Sequence, residues 1–138
     1  MINSLADRTN AIEECYEFML AYAAQGLPGD QGSASGGQLR EFLRRAIEAL
    51  SGLADALRAA VKQDSLEPAE SYEAFLAVLD RDSTDSLAAI QLVEAQPSLS
   101  SQLIDNLNAS IHLRALLTDL FLIDEILKSR TAKIEVSP

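Results

Sequence analysis

Apolar residues recur along most of the chain at steps of three and four. That spacing lines up one face of an α-helix. Leu5, Ile12, Cys15, Met19 and Tyr22 carry the pattern first and predict a helix over about 4–25. Ser4 and Asp7 suit its N-terminal cap. Gly26 and Pro28 end it, because glycine accepts the left-handed conformation after a helix and proline cannot continue one. Residues 26–38 hold five of the six glycines, with Ser33 and Ser35, and read as a flexible loop.

The cleanest pattern follows. Leu39, Leu43, Ala46, Leu50, Leu53, Leu57 and Ala60 form a heptad seam and predict one helix over about 38–63. Gly52 lies inside it, at a cost of about 1 kcal/mol relative to alanine. A close helix approach at that point accounts for it. Pro68 suits the first turn of a third helix, with Tyr72, Phe75, Leu76 and Leu79 as its apolar face. Seven polar residues, Asp80 to Ser86, then interrupt the pattern before Leu87, Ile90 and Val93 resume it. Residues 68–96 are either one helix with a solvated middle or two shorter ones, and the interruption favours two.

Pro97 and Ser98 open the last helix, expected to run to about 130, with 131–138 as a frayed tail. Leu103, Leu107, Ile111, Leu117, Leu120, Ile123 and Leu127 form its main face. Leu113, Leu116, Phe121 and Ile126 widen that face beyond what a surface helix needs. Such a helix is roughly 45–50 Å long at 1.5 Å per residue, longer than so small a domain is wide. The pattern therefore predicts an all-α fold. It is an antiparallel helical bundle of four main helices in one domain over 1–138, associating through the long C-terminal helix.

Composition strengthens the helical reading. Apolar residues are 48% of the chain, but aromatic residues only 5%, with no tryptophan. Alanine and leucine lose little entropy in a helix, and the β-branched and aromatic residues that strands favour are scarce. The net charge of −10 argues against nucleic acid and against an anionic membrane surface. No run reaches the roughly 20 apolar residues of a membrane span, and residues 1–10 lack an apolar signal core. Cys15 is the single cysteine, which fits a reducing compartment. The expected location is the cytoplasm.

The charge is uneven. Residues 64–97 hold eight acids and one base, whereas Arg40, Arg44, Arg45, Arg58 and Lys62 make the second helix basic. Two readings compete. The bases either pair with the acidic segment inside the molecule, or Arg40, Arg44 and Arg45 form a patch for an anionic partner. An apolar partner surface would draw on Leu113, Leu116 and Phe121.

Catalytic signals are sparse. His112 is the only histidine, which excludes paired-histidine metal sites. Asp105, Asn108, His112 and Asp119 share a helical stripe if the last helix is continuous. The first three are ligand candidates, but the stripe is too long for one metal to gather. Glu13 and Glu17 face the same side of the first helix, four residues apart, where two carboxylates can differ in acidity. Cys15 lies on the apolar stripe and reads as a packed thiol. The glycine-rich loop lacks Gly-Lys-Ser/Thr and is no phosphate loop. No cofactor or metal is expected.

Three functions follow. The first is a non-enzymatic protein–protein interaction module that forms a homodimer. The second is a small acidic chaperone of the assembly or secretion type. The third is an enzyme or cofactor-binding bundle that uses His112 with nearby acids.

Overall fold

The computed structural model describes residues 4–136, with side chains over 4–130. The described chain is helical throughout, with no strand. The six helices are α1 (Leu5–Ala24), α2 (Ala34–Leu50), α3 (Leu53–Gln63), α4 (Ala69–Glu94), α5 (Ser101–Asn108) and α6 (Ile111–Val136). Four main helices were expected. Both differences in number arise where apolar spacing runs unbroken through a helix break.

The first such break is at Ser51 and Gly52. Leu50, Leu53 and Leu57 remain buried on both sides of it, which is why the seam reads as one helix. The break is held from outside. Arg8 of α1 donates from Nη1 to the carbonyls of Glu48 and Ala49, both at 3.0 Å. These are terminal carbonyls that α2 cannot satisfy itself. A Cβ on Gly52 would lie 2.8 Å from Arg8 Cζ. The glycine makes room for a guanidinium rather than for a second helix backbone.

The second break is at Ala109 and Ser110, so the expected 98–130 helix is two. Ser100 caps α5 by accepting from Leu103 N at 3.0 Å. α6 starts afresh and continues to Val136, past the end expected at about 130. Its side chains from 131 on, and residues 137–138, lie outside the described part of the expected tail.

Two other segments are more helical than the pattern favoured, one of them settling an alternative the sequence left open. Residues 69–94 are one helix, not two. The polar run survives because its inward members are serines. Ser83 Oγ bonds the Leu79 carbonyl at 2.7 Å, and Ser86 Oγ the His112 carbonyl at 2.9 Å. The loop is also shorter than 26–38. Ser33 caps α2 by accepting from Gly36 N at 3.0 Å, so the helix begins at Ala34. Gly36 is required there, since a Cβ would lie 1.9 Å from the Asp30 carbonyl oxygen.

α1 packs on α2, α3 and α5, while α4 packs on α2, α3, α5 and α6. Ile12, Met19, Tyr22, Leu39, Leu43, Leu53, Leu76, Ile104 and Leu116 belong to a single buried cluster. The loop after α1 is tied to the α4–α5 connection. Arg40 Nε meets Asp30 Oδ2 at 2.9 Å, and its other nitrogens donate to the Glu94 and Gln96 carbonyls at 2.5 and 2.8 Å. Asp30 Oδ1 accepts from Leu99 N at 2.7 Å, and Tyr22 Oη donates to the Leu99 carbonyl at 2.6 Å. No helix among the described residues is long and apolar enough to cross a membrane.

Candidate interaction surface

The seam between α4 and α6 brings together the features most open to a partner. Along it, Ser86 meets His112, Asp82 meets Asp119, and Tyr72 and Phe75 stand near Ile123 and Ile126. At the Ile126 end the two helices part into a groove of about 400 Å³. Pro68, Ser71, Tyr72 and Phe75 line one side, and Leu122, Ile123 and Ile126 the other. The walls are almost wholly apolar. Leu122 is 51% exposed, and its neighbour Phe121 on the outer face of α6 is 57% exposed. Val78 of α4 and Ile126 are also open to water. Large side chains in that state lose hydration cost on burial, about 25 cal/mol per Å².

Phe121 is therefore where a partner could reach it. Leu113 and Leu116, grouped with it from the sequence, are not, because they are 1% and 0% exposed and belong to the core. The broad apolar face of α6 has two uses. One arc packs inside, and among the described side chains of α6 the large apolar residues left outside are Ile111, Phe121, Leu122 and Ile126.

The arginines are occupied. Arg40 is spent on the Asp30 clasp, with both side chains mostly out of water. Arg44 stands 3.6 Å from Glu94, and Arg45 3.4 Å from Glu14. Arg45 also lies 5.9 Å from the centre of the Phe42 ring, which stacks on Phe18. These contacts are internal, but only Arg44 pairs with an acid of the 64–97 segment, while Arg40 and Arg45 pair with Asp30 and Glu14. Exposed pairs such as those of Arg44 and Arg45 are worth ~0–1 kcal/mol.

The ligand candidates do not converge. The break at Ala109 puts Asp105 and Asn108 on α5 and His112 on α6, so their common stripe does not exist. Asp105 is exposed, Asn108 is buried, and His112 is exposed with Nδ1 3.9 Å from Asp85. Among the described residues no three metal-binding side chains meet. Cys15 is 1% exposed, and burial pushes its thiol up to about 12 against a smaller opposing pull from Arg45. Glu13 has its carboxyl raised by burial first, then by Asp124 and Glu17, with Lys128 opposing.

The most displaced carboxyl is Asp119, which the sequence reading placed on the polar stripe but not among the ligand candidates. Asp119 is 8% exposed, and its Oδ2 is buried without a hydrogen-bond donor. Burial, then the Asp82 carboxyl facing it, push its acidity to about 7. A signal existed, since Asp119 is the one acid in the apolar run from Leu116 to Ile123.

No family model, curated protein or solved structure matches the chain.

Proposed function

We propose that the protein is a non-enzymatic interaction module, a single-domain antiparallel bundle that dimerises through the outer face of α6. The observation that carries this reading is the exposure of Phe121 and Leu122 beside an apolar groove. Charge supports a second copy as the partner. The chain carries −10, yet residues 111–130 hold three acids and three bases. Two copies meeting there avoid the like-charge repulsion that the acidic segment 64–97 would bring. The opposite order of contacts along α4 and α6 supports the antiparallel arrangement. The single cysteine, a buried thiol, suits a reducing cytoplasm.

A second reading has one observation in its favour. Glu67, Glu70 and Glu73 stand in sequence beside the groove residues Pro68 to Phe75 and would suit a basic client, as an assembly chaperone would hold. Light scattering separates the two. The pure protein should run at twice its 14.9 kDa mass at micromolar concentration. The double variant Phe121→Asp/Leu122→Asp should run at the monomer mass with unchanged helicity. A wild-type monomer under those conditions refutes self-association.

A further inference from the structure

We propose that Asp82 and Asp119 share one proton across the α4–α6 seam, and that releasing it loosens the seam and the association surface α6 carries. The second half rests on the dimer reading above; the first does not.

Asp119 is held inside by its neighbours. Its neighbours in sequence on α6, Leu116, Leu120 and Ile123, are buried as well. A carboxylate oxygen sealed from water needs a donor, a cation or a proton. No N–H or O–H among the described residues reaches Oδ2. Arg81 and Arg114, the bases nearest in sequence, are exposed. The group that does face Asp119 is the half-buried carboxyl of Asp82. Two carboxylates that close, away from water, do not both ionise. Asp119 keeps its proton and donates the O–H to the Asp82 carboxylate.

The surrounding charges leave this arrangement intact. From α4, Asp85 pairs with His112 of α6, near the start of that helix. From α1, Glu13 interacts with Asp124 and Lys128 on α6 beyond Asp119. From α5, Asp105 is exposed, and from α3, Asp55 is taken by Arg58. None of these places a cation on the pair.

Position links the proton to the surface. Leu122 lies three residues beyond Asp119, and Val78 four residues before Asp82. On α6 the pair thus sits about one helical turn from the groove residue Leu122, and on α4 about two turns from Phe75. When the proton leaves for solvent, two negative charges oppose each other across the seam that sets the groove's walls.

The test uses the full chain. Carboxyl-carbon NMR should show Asp119 titrating at about 7. A midpoint near the ordinary ~4 overturns proton sharing. Between those values the folded-to-unfolded ratio should fall by up to about tenfold per pH unit as pH rises. Asp119→Asn and Asp82→Asn each supply an amide donor, and both should flatten that slope. His112→Gln, which removes the chain's single imidazole from the same seam, should leave it. A slope kept in the aspartate variants, or lost with His112, overturns the assignment. Scattering mass across the same range should shift from dimer toward monomer as pH rises. A constant dimer mass refutes the coupling to association. A monomer throughout refutes that coupling and the dimer reading together, while the NMR midpoint still decides the shared proton.

Discussion

Arg40 offers the sharpest test of how the helices are fastened, because one side chain joins three segments. Its guanidinium spans Asp30 in the first loop and the carbonyls of Glu94 and Gln96 after α4. Arg40→Ala removes all three bonds. Asp30 keeps only its bond from Leu99 N, and its side chain is 10% exposed. Breaking a buried pair costs about 3–5 kcal/mol, most of it from the charge left behind. Arg40 is 18% exposed, so water can relax part of that penalty. A loss of about 3 kcal/mol is expected, a large share of the ~5–15 kcal/mol a domain of this kind has.

Urea denaturation followed by far-UV circular dichroism measures this loss as a shift in midpoint at constant slope. Arg40→Lys keeps the charge without the planar fork, and should recover only part of the stability. A double-mutant cycle with Asp30→Asn isolates the pair, with an expected coupling above about 1 kcal/mol. A loss below about 1 kcal/mol for Arg40→Ala, the range of a surface pair, refutes the clasp. It would return Arg40 to the role of a free surface charge for an anionic partner.

Two further outcomes follow from the same geometry. Gly36→Ala should destabilise by more than about 2 kcal/mol, because the new Cβ meets the Asp30 carbonyl and backbone must move. Gly37→Ala has nothing within 4 Å and should stabilise by up to about 1 kcal/mol; equal melting shifts for the two would refute the close approach. The pH profile of stability should peak on the acid side. Asp30 is held low by Arg40, so its contribution is complete above the unfolded value of ~4 and is lost as pH falls below it. Asp119 is raised, so its contribution is complete below ~4 and is lost as pH rises through about 7. Denaturation across the pH range should find less stability at neutral pH than near pH 5, and a flat profile between those points would contradict the two environments.

The helical class was legible because a 3.6-residue period needs only apolar placement, and Leu39, Leu43, Leu53 and Leu57 keep it. Helix ends were not, where a distant group decides them. Nothing local to Ser51 and Gly52 announces that Arg8, more than forty residues earlier, will terminate α2. The reverse holds at Asp80–Ser86, where the residue types read as a break. Ser83 turns inward and bonds the Leu79 carbonyl of its own helix, and Ser86 bonds the His112 carbonyl of α6, so the helix continues. The interface candidates divided in the same way. Leu113, Leu116 and Phe121 are alike as apolar residues, and only the angle of α6 against α4 separates core from surface. Asp82 looked like one charge in a solvated run until α6 placed Asp119 opposite it.

These polar contacts have a common logic. A core of leucine and alanine is non-directional, and several registers of such helices bury similar area. Selecting one register needs groups that work at a single distance. Arg8 on the end of α2, Arg40 across two loops and Ser86 on the His112 carbonyl all do this with a donor aimed at a backbone acceptor. Asp82 and Asp119 break the pattern. They occupy an equivalent position between α4 and α6, but bring two acceptors and no fixed donor. The α4–α6 seam is thus the joint whose register depends on solution conditions, and it is also the joint that exposes Leu122 and Ile126. A protein that only needed to hold α6 in place would do better with an amide at either position. Under the proposed proton sharing, two carboxyls there make the attachment of α6 conditional on pH.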